Sequence, residues 1–248
     1  MHSRILIILI SLIFVLLTIL FGIRYYQNTR CLYTDKKICA FTKNLYRETF
    51  SSVSGTNILS NKSNIEQQFK FNNKKGSLVI SSNTKPLIDI IETDEYVYLK
   101  KSSESTWYRQ TAIHAESYSY KRPSSMRDYL FELKKWFLKS AGKFKYVKKT
   151  ICNDEVCYEY QVKGDNFESS LYIDEDGKLS RFIVKYPTYT ETLTLNYVKT
   201  SIEEPSEYTQ KGNENIFLLI LKEVDNSTPY YQYLQEFEIQ RQQSEGNK

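Results

Sequence analysis

Four cysteines are the most reactive side chains in this 248-residue sequence, and they stand in two local pairs, Cys31 with Cys39 and Cys152 with Cys157. Each spacing suits a small loop or hairpin, although four cysteines allow three connectivities. Zinc would call for tighter CxxC knuckles or accompanying histidines, and beyond the first residues there is only His114. The expectation is two local disulfides, bonds that persist in an oxidising compartment.

Other candidates for chemistry fail one by one. Ser82 and Lys85 match an SxxK pattern, but they sit in an expected interstrand loop without the downstream partners that such chemistry needs. Asp174, Asp176 and Gly177 suggest a calcium loop, yet Ile183 stands where a bidentate Glu is required. Glu92, Asp94 and Glu95 belong to another turn, and His114 has no metal-ligand partner at useful spacing. Asn61 and Asn226 open glycosylation sequons, which are unremarkable in a chain this rich in Asn, Ser and Thr. The sequence therefore points to no enzyme, no metal and no cofactor.

Lysine is the one charged group that clusters. Between Leu133 and Asn153 lie Lys134, Lys135, Lys139, Lys143, Lys145, Lys148 and Lys149, with no acidic residue among them. Lys134, Lys135 and Lys139 are candidates for contact with anionic headgroups or wall polymers, set against the simpler reading of a solvated helix face. Interleaved Trp136, Phe144 and Tyr146 are able to stack on bases, but nucleic acid is not an expected partner outside a membrane.

The segment from Ile5 to Ile23, ILIILISLIFVLLTILFGI, has no charge in 19 residues. At a rise of about 1.5 Å per residue, such a helix crosses a hydrocarbon core of about 30 Å. No small-x-small cleavage site follows Gly22, and the first cysteine lies beyond Arg24, Gln27 and Arg30, so neither cleavage nor lipidation is expected. Arg4 on one side and Arg24 and Arg30 on the other leave orientation undecided by charge. The paired cysteines decide it. The expectation is a single-pass anchor in the cell membrane, with residues 1–4 cytoplasmic, 24–34 a linker, and the rest extracytoplasmic.

Beyond the anchor the chain is rich in strand formers, with 21 Tyr and 13 Phe against 8 Gly and a net charge of +5. Ile38, Phe41, Leu45 and Phe50 recur at near-helical spacing behind a possible cap at Asp35. From Val53 the period becomes two, through IEQQFKFNN, SLVIS, LIDIIE, EYVYLKK and TWYRQ. MRDYLFELKKWFLKSAG interrupts as a second amphipathic helix, carrying Met126, Tyr129, Leu130, Leu133, Trp136 and Phe137 on one side. Strands resume at KFKYVKKTI, VCYEYQV, ESSLYID, KLSRFIVKY and TETLTLNYVKT, with DEDGK as a hairpin turn. Closely spaced strands with polar turns argue an antiparallel α+β arrangement over 35–205, followed by a helical or flexible tail over 206–248.

This order of elements resembles the LolA-like superfamily, which includes LolA, the LppX and LprG lipoproteins and the RseB-type sensors. The resemblance is carried by SVSGTN, EYVYLKK with TWYRQ, VCYEYQV beside LYIDEDGKLSRFIV, and LNYVKTSIEEP, about Asp35 to Pro205. It implies a strongly curved half-barrel whose concave face, partly covered by helices, holds a lipid or other apolar ligand. A tethered relative would differ from soluble LolA, since it would work within reach of its own membrane.

The residues expected to line such a cavity are Phe69, Phe71, Tyr98, Tyr158, Tyr160, Tyr172 and Phe182. The same side chains would serve equally to fill a core beneath the helices. In that alternative the chain is a structural or regulatory envelope protein acting through protein or polymer contacts.

Overall fold

The computed structural model describes residues 33–47, 50, 52–60, 64–111, 123–164 and 166–211, together with 15, 16, 18 and 19. Helix α1 spans Lys36–Arg47, and its start is fixed by the residue that the sequence singled out. The Asp35 carboxylate accepts from Lys37 N at 2.8 Å and Ile38 N at 3.1 Å, which satisfies two otherwise unpaired amides of the first turn. The same carboxylate accepts the Tyr160 hydroxyl at 2.9 Å, so the helix cap is also a tertiary tie to a distant strand.

Among the described residues twelve strands follow. β1 (Val53–Ser60), β2 (Asn64–Phe71), β3 (Gly76–Ser82), β4 (Lys85–Glu92), β5 (Tyr96–Lys101) and β6 (Tyr108–Thr111) form one antiparallel meander. Helix α2 (Pro123–Ser140) leads to a second meander of β7 (Lys145–Cys152), β8 (Glu155–Lys163), β9 (Glu168–Asp174), β10 (Leu179–Lys185) and β11 (Thr190–Asn196). Pairing of β1 with β11 joins the two into one open, curved sheet. Past Pro205, β12 (Thr209–Gln210) adds to the edge of β6 in parallel. The arrangement is the α+β half-barrel expected from the sequence, for the described residues.

At the seam between the meanders the chain needs a glycine. A Cβ on Gly55 would stand 2.3 Å from the Thr194 carbonyl oxygen and 2.7 Å from the Phe69 ring. Only a bare Cα lets β1, β2 and β11 approach this closely.

Both helices pack on one face of the sheet, the inner face. Cross-strand partners share a face. The row Asn57, Gln67, Ile80, Ile88, Leu193, Phe182, Leu171 and Tyr160 therefore lies on the inner side. Phe137 of α2 ties the layers together, meeting Phe41 of α1 at 5.4 Å and Phe182 of β10 at 4.9 Å, both edge to face. Trp136 meets Phe182 at 5.6 Å and Phe144 at 5.8 Å.

The proposed anchor Ile5–Ile23 lies outside the described residues except for Val15, Leu16, Thr18 and Ile19, which are helical. Among the described residues no helix is long and apolar enough to cross a membrane. Cys31 and His114 also lie outside them.

Candidate ligand cleft

Beneath the middle of α2, the inner face leaves a cleft of about 190 Å³. Tyr129, Leu133 and Trp136 line it from the helix, Phe182, Val184 and Glu191 from β10 and β11, and Phe167 and Tyr186 from the adjoining turns. Helical spacing of three and four brings Tyr129, Leu133 and Trp136 onto one stripe. Period-two spacing does the same for Phe182 and Val184. The rings touch in series, Tyr186 to Phe167 at 6.4 Å, Phe167 to Trp136 at 6.2 Å and Trp136 to Phe182 at 5.6 Å.

One end of the cleft is polar. Asn57 Nδ2 donates to Glu191 Oε1 at 3.0 Å and stands 3.3 Å from Gln67 Oε1. The Tyr129 hydroxyl also donates to Glu191, and burial followed by the charge of that carboxylate pushes the phenol far above its ordinary range. Tyr129 therefore stands beside Glu191 as a neutral phenol. Tyr189 stacks on Tyr186 at 4.6 Å and is pushed up to about 12, first by burial and then by Tyr186 and Glu191.

The seven residues expected to line a cavity part company here. Phe182 lines the cleft. Phe69, Phe71, Tyr158 and Tyr160 share the inner face but belong to the packed layer, with Phe69 stacked on Phe71 at 5.3 Å and Tyr160 bound to Asp35. Tyr98 and Tyr172 are on the opposite face, which corrects the sequence-based assignment. Tyr98 pairs across strands with Ile91 and Arg109, and its hydroxyl donates to Glu204 at 2.9 Å. Tyr172 pairs with Glu159 and Arg181. The outer face near Tyr98 is itself covered by the segment around 201–208, with Tyr208 at 5.7 Å, so its burial mimics that of a core position.

Glu191, the charged member of the site, was not anticipated. Its signal lies in TETLTLN, where Glu191 shares register with Leu193 and Leu195, both buried. A carboxylate in step with two core leucines must face inward.

The cysteines need a second correction. Cys39 is disulfide-bonded, with its partner outside the described residues. Cys152 and Cys157 are free thiols, both buried. The hairpin register explains this, because Cys157 stands opposite Thr150 while Cys152 stands opposite Glu155. A diagonal pair is spaced about 7–8 Å apart, beyond the usual ~4.4–6.8 Å of a disulfide. Burial, then a hydrogen bond with Cys157, pushes the Cys152 thiol up to about 12. We expect iodoacetamide at pH 8 to label Cys152 at least about tenfold more slowly in the folded chain than in urea, read by peptide mass spectrometry. Because the folded thiol titrates above the unfolded one, its contribution to stability is complete below about pH 8.5 and is lost as pH rises toward 12.

The other sequence candidates fall into ordinary roles. Ser82 and Lys85 are paired strand ends flanking a turn in which Asn83 and Thr84 have φ of 47° and 70°. Asp174 braces the β9–β10 turn, its carboxylate accepting from Lys178 N at 2.7 Å. Lys135 pairs with Glu132 one turn before it, and Lys148 stands 3.8 Å from Glu159, so acids outside the lysine-rich stretch partly offset its charge. Lys134 and Lys139 occupy the same helix. Among the described residues no three His, Cys, Asp or Glu side chains gather as metal ligands.

No known protein family matches the sequence, and no curated protein does either. Solved structures similar in fold include LprF from Mycobacterium bovis, at 11% identity and a TM-score of 0.47, covering 70% of this chain and 96% of that one. Lipoprotein LppX from Mycobacterium tuberculosis aligns at 8% identity and a TM-score of 0.43, covering 69% and 99%. An uncharacterized conserved protein from Thermus thermophilus aligns at 8% and 0.37, covering 71% and 97%. LppX is among the proteins that the order of elements resembles, but at such TM-scores the likeness carries no functional reading, which rests instead on the cleft.

Proposed function

We propose that this chain is a non-enzymatic binding module, tethered to the cell membrane by Ile5–Ile23 with its β domain outside, that accommodates a small apolar ligand or the end of a larger one. The observation that carries this reading is the aromatic cleft beneath α2. Apolar walls with a few convergent polar groups are the usual make-up of small-molecule sites. Its size sets the scale of the ligand. A dry cavity of about 150 Å³ takes up benzene, so a space of about 190 Å³ suits a ring or a short alkyl segment rather than a whole diacyl lipid.

Trp136 is a built-in reporter, since the chain's only other tryptophan is Trp107. In the full chain carrying Trp107→Phe, reconstituted in nanodiscs, hexanol is expected to quench and blue-shift Trp136 emission saturably, after correction for partition into the disc. Val184→Phe, which fills the cleft, is expected to weaken that response at least about tenfold. A linear, non-saturating response that Val184→Phe leaves unchanged would refute the binding role.

The alternative, an envelope protein with a filled barrel, is favoured by the dense packing of Phe69, Phe71 and Tyr160 under the helices. Lys134, Lys135 and Lys139 would then serve as a contact surface for an acidic partner.

A further inference from the structure

The walls and the polar end of the cleft have a common electrostatic sense. Five of its eight lining residues are aromatic, namely Tyr129, Trp136, Phe167, Phe182 and Tyr186, and the single charge is Glu191. Ring faces carry negative potential. Among the described residues, no lysine or arginine forms an ion pair with Glu191, whose hydrogen-bond partners Asn57 and Tyr129 are neutral.

From this geometry we infer that the cleft selects a ligand bearing an organic ammonium group, held between the rings and the Glu191 carboxylate. The inference rests on the binding role proposed above and adds the identity of the polar group. A cation over several ring faces gains electrostatic energy that a neutral group of the same shape does not. A carboxylate or phosphate meets the same rings and Glu191 as repulsion. Selection thus comes from charge, while the cleft of about 190 Å³ limits the size of the ligand.

Three ligands of nearly identical shape isolate the charge: choline, its neutral isostere 3,3-dimethylbutan-1-ol, and the anion 3,3-dimethylbutanoate. With the full chain carrying Trp107→Phe in phosphatidylglycerol nanodiscs, choline is expected to change Trp136 emission at least about tenfold more tightly than the alcohol, and the anion not at all. Glu191→Gln, which keeps an acceptor for Asn57 and Tyr129, should bring the ratio of choline to alcohol affinity, both measured in that variant, down to about one, with a melting temperature showing the fold intact. Repeating the titration in phosphatidylcholine discs identifies the source. Weakened choline binding there marks a lipid headgroup as the natural occupant, and unchanged binding marks a free ammonium compound. Equal affinity for choline and the alcohol would overturn the ammonium proposal and leave the apolar cleft standing. Failure of all three to bind would overturn both.

Discussion

Replacing Phe137 with alanine is expected to destabilise the chain by about 3–5 kcal/mol, the upper range for truncation of a buried side chain. Phe137 is 1% exposed and touches Phe41 of α1, Phe182 of β10 and Phe144 of the linker before β7. Its removal leaves a cavity at the point where α1, α2 and the sheet meet, and those rings are too constrained by one another to collapse into it. For a domain of this size the loss corresponds to a fall in melting temperature of roughly 6–20 °C, measurable by circular dichroism. Ile151→Ala supplies the contrast, since Ile151 is 71% exposed on edge strand β7 and should shift stability by no more than about 0.5 kcal/mol.

Gly177→Val should cost about 2–4 kcal/mol, through two causes that can be separated. Gly177 has φ of +79°, a region costly for β-branched residues, and a Cβ there would stand 2.8 Å from Ala40 Cβ and 2.9 Å from Ala40 C. The clash matters because this turn carries α1. Lys37 Nζ donates to the Glu175 carbonyl at 2.9 Å, and Asn44 Nδ2 to that of Asp176 at 2.6 Å. Asn tolerates the left-handed region, so Gly177→Asn isolates the contact with Ala40. Chemical denaturation is expected to show Gly177→Asn still destabilised by at least about 1 kcal/mol, with part recovered on adding Ala40→Gly. Full tolerance of Asn would mean that backbone strain alone sets the requirement.

Much of this architecture was legible in the residues. The Asp35 cap, the DEDGK turn and the switch from period 3.6 to period two all reflect local chemistry that tertiary structure had no reason to override. Faces were harder. Phe69, Phe71, Tyr160 and Phe182 follow the inner register, but Tyr98 looks the same in sequence, because a later segment with Glu204 and Tyr208 covers the outer face at that point. A strand buried on both sides gives alternation no polar face to read. The cysteine spacing in β7–β8 suited a hairpin, yet the offset that leaves Cys152 and Cys157 diagonal depends on which residues form the two-residue turn. The cleft itself was half visible. Tyr129, Leu133 and Trp136 were already on the apolar stripe of α2, whereas its carboxylate needed the register of Glu191 with Leu193 and Leu195.

The binding role is tested most directly by the dependence of affinity on ligand length. In the full chain with Trp107→Phe, a series of straight-chain alcohols should tighten by about fourfold per added methylene. Scaling from benzene in a cavity of about 150 Å³, the gain should stop near seven or eight carbons, where the cleft is full. A plateau at that length, abolished by Val184→Phe, is the result expected of a bounded cleft. Continuous tightening to long chains, identical in parent and Val184→Phe, would show that the alcohols report only the bilayer and would contradict a binding site beneath α2.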